Sequence, residues 1–142
     1  MSVTNPMKRL PVLRGVPIFH GLAKATLLDV ARKTDEASYP AGATVVREGD
    51  PGDALCIIAE GTVEVRTNDR VVAKMTEGDF FGEISLFDGK PRSATIVAVD
   101  DVVVLTIRWS DFETLLNHPY VAHAALRSLA ARVREAHESH GA

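Results

Sequence analysis

Apolar and polar residues alternate in short bursts through the middle of this chain and recur at wider spacing towards its two ends. Leu22, Ala25, Leu28 and Ala31 fall at helical spacing behind Gly21, which predicts a first helix from about Leu22 to Lys33. From Tyr39 the period changes. Thr44-Val45-Val46, Leu55-Cys56-Ile57-Ile58 and Thr62 to Arg66 are β-rich runs separated by Gly and Pro turns. Val63 and Val65 alternate with Glu64 and Arg66, as in a strand with one wet face. Asn68-Asp69 suits a hairpin turn into Arg70 to Met75, and two more strands, Thr95 to Val99 and Val102 to Arg108, flank Asp100-Asp101. Many short strands with frequent glycine turns predict a sandwich or a barrel.

Beyond Arg108 the helical period returns. Ser110 with Glu113 three residues later reads as a capping box, and the helix it opens should stop near Asn117, ahead of Pro119. A final helix is expected from Pro119 to about Glu138, with Leu126, Leu129, Val133 and Ala136 forming an apolar seam. That seam lasts about two heptads, short of a coiled coil.

Composition narrows the function classes. The 142 residues, 46% apolar and 25% charged, are those of an ordinary globular chain. A net charge of −3 with scattered basic residues gives no field to draw nucleic acid or an anionic membrane. The single Cys56 excludes an internal disulfide and points to a reducing compartment, so a cytoplasmic location is expected. The start of the chain is polar and interrupted by Pro6, Pro11 and Pro17, unlike a signal peptide, and no apolar run is long enough to span a membrane. No histidine lies between His20 and His118, so the β region lacks the imidazoles of a metal-binding jelly-roll enzyme. No nucleophile is paired with a base either, and no enzyme activity and no metal are expected.

The chemistry concentrates between Gly82 and Thr95, which reads Gly-Glu-Ile-Ser-Leu-Phe-Asp-Gly-Lys-Pro-Arg-Ser-Ala-Thr. Arg92 is a permanently charged fork suited to phosphate, and the Ser93 hydroxyl beside it is a second donor. Gly82 admits close backbone approach. Glu83 would repel a phosphate, but accepts from a hydroxyl such as that of a ribose. Together these residues suggest a ribose phosphate.

At Phe81-Gly82-Glu83-Ile84-Ser85-Leu86 and Pro91-Arg92-Ser93-Ala94-Thr95 the chain resembles the phosphate-binding cassette of the cyclic nucleotide-binding domain family. Pro17-Ile18-Phe19, Gly21-Leu22, Pro40-Ala41-Gly42, Glu48 to Asp53 and Glu60-Gly61 resemble further landmarks of that family. The resemblance implies a mainly β fold with flanking helices, a β jelly-roll sandwich in one domain over 1–142. Its parts are a helical segment over 1–38, a β roll over 39–108 with the cassette at 81–95, and C-terminal lid helices over 109–142. It implies that Glu83 binds the ribose 2′-hydroxyl and Arg92 the cyclic phosphate. Ser93 joins through its hydroxyl, and Ile84, Ser85 and Ala94 through backbone groups. Leu86 and Phe87 are expected to pack inward, whereas Val71 faces either the purine or the core. Arg132, or else Arg134, covers the base from the last helix. That helix lacks the Thr-Ser pair of the catabolite activator branch.

The implied function is a regulatory sensor that binds cAMP, with cGMP as the alternative ligand, and relays occupancy through its C-terminal helix. The expected partner is a second copy or an effector protein at that helix. Two other readings stand beside it. One is a dimerising interaction domain without ligand control. The other is the sensor fragment of a channel or of a DNA-binding regulator, since this chain alone holds no room for a helix-turn-helix after its last helix.

Overall fold

Two stretches of the sequence are apolar at nearly every position, and a computed structural model of the chain shows why. The structure describes residues 5–82 and 89–139, with the backbone alone for 132 and 135–139. The two stretches are strands β3 (Ala54–Glu60) and β8 (Val102–Arg108), paired antiparallel at the centre of one sheet. β1 (Asp35–Tyr39) lies outside β8 and β6 (Phe80–Phe81) outside β3, giving the order β1-β8-β3-β6. A second antiparallel sheet has the order β2-β7-β4-β5. Its strands are β2 (Thr44–Val46), β4 (Val63–Thr67), β5 (Arg70–Met75) and β7 (Thr95–Ala98).

The first sheet is covered on both faces, so its central strands have no wet side. Leu55, Ile57, Ala59, Val103, Leu105 and Ile107 join a core shared with the helices. Cys56, Ile58, Val102 and Val104 point the other way and pack with Val63, Ile96 and Ala98 of the second sheet. The result is the expected jelly-roll sandwich, with a helical layer on one side. That layer holds α1 (Pro6–Arg14), a 3₁₀ turn (Pro17–Phe19), α2 (Lys24–Lys33), α3 (Trp109–Leu115) and α4 (Pro119–Ser139).

Several local expectations are corrected. A helix, α1, precedes the expected first one and carries Pro11 in its interior. Asn5 caps it by accepting from the Met7 N–H at 2.9 Å, and Leu10 and Leu13 are buried against the core. Burial outweighs the hydrogen bond lost at Pro11. In α2 the buried residues are Leu27, Val30 and Ala31, whereas Ala25 is exposed and Leu28 only partly covered. β1 is a polar strand that begins before Tyr39, held by its ladder to β8 rather than by an apolar face. The capping box at Ser110 does not form: α3 begins at Trp109, whose N–H donates to the Asp53 carbonyl at 3.0 Å. A tertiary partner there replaces the local cap. Glu64 and Arg66 are half-buried, so the outer face of β4 is less wet than its alternation suggests. Val71 belongs to no core, being 50% exposed on the edge strand β5.

Other expectations hold in detail. Asn68 and Asp69 both have positive φ, 54° and 61°, as a two-residue hairpin turn of type I′ requires. The final helix spans Pro119–Ser139. It is anchored by Val121 and Ala125, which are buried, while Leu126 and Val133 of its seam are 66% and 69% exposed.

Candidate functional site

Arg92 is the centre of the site, and its backbone is fixed before its side chain is considered. Its N–H donates to the Asp50 carbonyl at 2.7 Å, and its carbonyl accepts from the Gly49 N–H at 2.9 Å. Gly49 has φ +91°, the left-handed region that favours glycine, so the Glu48-Gly49-Asp50 turn serves as the bracket for Arg92.

The side chain runs inward from that bracket. Arg92 is only 7% exposed, and its Nη2 donates to the Ala54 carbonyl at 3.0 Å and lies 3.9 Å from Cys56 Sγ. Both partners are neutral. The other terminal nitrogen, Nη1, is buried and has no hydrogen-bond partner among the described residues. A buried guanidinium is costly unless its donors are satisfied. Arg92 therefore presents, among the described residues, a full positive charge and at least one open donor.

Gly82 forms the wall beside that donor. Its φ is +99°, and a Cβ there would meet Arg92 Nη1 as well as the Ala54 carbonyl at 2.8 Å. Both conformation and space require glycine. The cross-strand pair Cys56–Phe81 sets the chain just before Gly82 against β3, so one strand supports both halves of the cradle. Cys56 is buried too, and its thiol is pushed up from its ordinary 9.0 to about 11. Burial is the main cause, Arg92 opposes it, and the Asp53 charge adds to it. At neutral pH the thiol keeps its proton and does not neutralise the guanidinium.

Of the residues expected to bind ligand, the structure brings together Gly82 and Arg92. Ser93 follows Arg92 and is exposed, and Ala94 is half-buried. Val71 lies on β5, where its cross-strand partner is Arg66. Glu83, Ile84 and Ser85, the inward packing of Leu86 and Phe87, and the side chain of Arg132 lie outside the described residues. Ala54 and Cys56 join the site unannounced by the sequence. Ala54 contributes only a carbonyl, and Cys56 sits in an apolar strand with nothing to mark it as polar machinery.

Among the described residues no group of His, Cys, Asp and Glu is placed to hold a metal ion. No helix among them is long and apolar enough to cross a membrane.

Comparison with known proteins extends the geometry. Residues 36–118, more than half of the chain, match the family model of the cyclic nucleotide-binding domain. A cyclic nucleotide-gated potassium channel of Mesorhizobium japonicum is 38% identical over 104 residues, covering 73% of this chain and 29% of the channel. The cyclic AMP receptor protein of Thermus thermophilus is 38% identical over 130 residues, covering 87% of this chain and 60% of that protein. The crystal structure of the Thermus thermophilus catabolite activator protein superposes with a TM-score of 0.79 at 37% identity, over 87% of this chain and 61% of that one. The regulatory subunit of a cAMP-independent protein kinase A from Trypanosoma brucei superposes with a TM-score of 0.82 at 26% identity. That match covers 94% of this chain and 49% of the subunit. The chain thus spans less than two thirds of the length of each of these proteins. The family match encloses the bracket, the cradle and, apart from Asp35, both sheets, and the chain belongs to the cyclic nucleotide-binding domain family.

Proposed function

We propose that this chain is a sensor that binds cAMP, and cGMP more weakly, in the cradle between Gly82 and Arg92. The observation that carries the reading is the buried Nη1 of Arg92, charged and without a partner among the described residues. A cyclic phosphate supplies the missing acceptor and the missing charge together. Glu83 would then accept from the ribose 2′-hydroxyl, and Ser93 would add its hydroxyl to the phosphate. Backbone groups of Ile84, Ser85 and Ala94 line the ligand, Val71 offers apolar surface to the purine, and Arg132 covers the base from α4. Arg92-Ser93-Ala94 favours cAMP, since members that prefer cGMP often carry threonine after the arginine. The Thermus relative is named for cyclic AMP, but the Trypanosoma neighbour is described as cAMP-independent. The fold alone therefore does not choose the ligand, and the cradle must. The whole of 1–142 acts as one regulatory, non-catalytic domain in a reducing cytoplasm, and α4 carries the signal.

Calorimetric titration of nucleotide-free protein with cAMP and cGMP tests this reading. Arg92→Ala should weaken cAMP binding by about 2 to 5 kcal/mol through loss of the charged partner. Glu83→Ala should cost about 1.5 to 3 kcal/mol, the range for a hydrogen bond to a charged group. No heat with either nucleotide at millimolar concentration, or unchanged affinity in both variants, would sink the proposal. The exposed Leu126 and Val133 also favour a mating surface on α4, for a second copy or an effector. Mass in solution, with and without nucleotide, reports on that.

A further inference from the structure

Cys56 is a buried thiol beside Arg92 that the nucleotide reading leaves unused. It lies on the inter-sheet face of β3, packed with Ile58, Phe81, Ile96 and Val104. Its neighbour across the ladder is Phe81, the residue before Gly82. The thiol and the Ala54 carbonyl meet the same nitrogen of Arg92, Nη2, at 3.9 Å and 3.0 Å. With Nη2 held towards β3, the guanidinium plane is turned so that Nη1 stands against Gly82. That nitrogen has no partner among the described residues.

We propose that Cys56 is a positioning residue that orients the Arg92 guanidinium towards its anion while leaving the charge of Arg92 uncompensated. The inference rests on reading Arg92 as the phosphate partner and adds how that partner is set. Three properties of cysteine fit the task. Its size matters because Gly82 leaves no space on the far side, so a longer side chain at 56 would drive Nη1 into the glycine. Its polarity matters because sulfur is a weak acceptor, enough to orient Nη2 without competing with a phosphate. Its charge matters because burial keeps the thiol protonated at neutral pH. A carboxylate at the same place would satisfy Arg92 and leave the ligand nothing to neutralise.

The test uses the full chain with Cys56→Ser, Cys56→Val, Cys56→Asp and Arg92→Ala. It has two readouts: cAMP affinity by calorimetry, and the side-chain ¹⁵N resonances of Arg92 without ligand. Cys56→Val removes the acceptor and adds about one methyl group of volume; it should lower affinity by about 2- to 10-fold, as loss of one hydrogen bond implies. It should also shift the ligand-free Arg92 resonances. Cys56→Ser keeps a neutral acceptor on a shorter bond, which Nη2 must approach to reach, so its affinity should fall between those of Cys56→Val and wild type. Cys56→Asp should lower affinity by more than about 100-fold by pairing Arg92 internally. If the Asp protein does not fold, the contrast between Ser and Val decides. Wild-type affinity and unmoved Arg92 resonances in Cys56→Val would overturn the inference. The nucleotide reading would still stand if Arg92→Ala had lost binding. If Arg92→Ala binds as wild type does, the nucleotide reading falls instead. The ligand-free resonances then show whether Cys56 orients Arg92 at all.

Discussion

A permanently charged side chain with one nitrogen unpartnered among the described residues, and a protonated thiol at its side, make the residue-scale chemistry of this protein. The thiol yields a prediction independent of any ligand. The folded chain holds the Cys56 proton until about pH 11, and the unfolded chain releases it near 9.0. Between those values the unfolded state binds fewer protons, so stability is complete below pH 9 and falls as pH rises towards 11. The loss should reach about 2 to 3 kcal/mol. Urea unfolding of wild type and Cys56→Ser at about pH 8 and about pH 10.5 measures it, because serine has no proton to lose in that range. An equal loss in both proteins would assign the alkaline instability elsewhere. Gly82→Ala tests the opposite wall. Its φ of +99° should cost about 1 to 3 kcal/mol, and the new methyl should push Nη1 aside and weaken cAMP binding. Unchanged stability and affinity would show that the cradle is not this tight.

At the scale of elements, the tight joints lie where turns from the two sheets meet. Gly61, between β3 and β4, has φ +88°, and a Cβ there would meet the Asp101 carbonyl and, at 2.8 Å, Asp100 Oδ1. Those aspartates are occupied: Asp100 Oδ1 accepts from the Thr62 N–H at 2.7 Å and Asp101 Oδ1 from the Ala41 N–H at 3.2 Å. Gly61→Ala should therefore destabilise the fold by about 1 to 3 kcal/mol without touching the ligand cradle. A denaturation midpoint that falls while cAMP affinity per folded molecule holds would separate this joint from the site. In the helical layer Arg9 plays a comparable part. Its Nη1 reaches the Ala31 and Thr34 carbonyls at 3.1 and 2.8 Å, joining α1 to the end of α2, where a cation suits the helix dipole.

At the scale of the whole molecule, α4 is anchored near its start, and farther along its seam Leu129 is half-buried while Leu126 and Val133 are exposed. Val121 and Ala125 enter the core beside the 3₁₀ turn, and Tyr120 packs so closely over Gly21 that a Cβ there would meet its ring at 2.5 Å. Beyond that anchor, Leu126 and Val133 stay exposed. Deleting the chain from Arg132 onward should leave the melting transition nearly unmoved, within about 0.5 kcal/mol as for surface changes, yet weaken cAMP binding. Val121→Ala, by contrast, should cost about 2 kcal/mol of stability. If the truncation unfolds the sandwich, α4 is core rather than lid. If affinity is unaffected, its seam serves a partner alone.

Read as a string, the chain already determined much of this. The period-2 runs, the glycine turns and the Asn68-Asp69 hairpin are local chemistry, so strands such as Arg70–Met75 and Val102–Arg108 were legible to the residue. Gly82 and Arg92 were legible as separate candidates, because glycine freedom and a guanidinium are properties of the residues themselves, but their contact was not. Tertiary structure decided the rest. It made a helix of a proline-bearing segment by burying Leu10 and Leu13, and it began α3 at Trp109 through the Asp53 carbonyl. It set polar β1 in place through its ladder to β8. It also turned Cys56 from one apolar-strand residue among several into a neighbour of Arg92, across 36 residues of sequence. Periodicity and composition report what a residue does near itself in the chain. Which buried group lacks a partner depends on every element that closes around it.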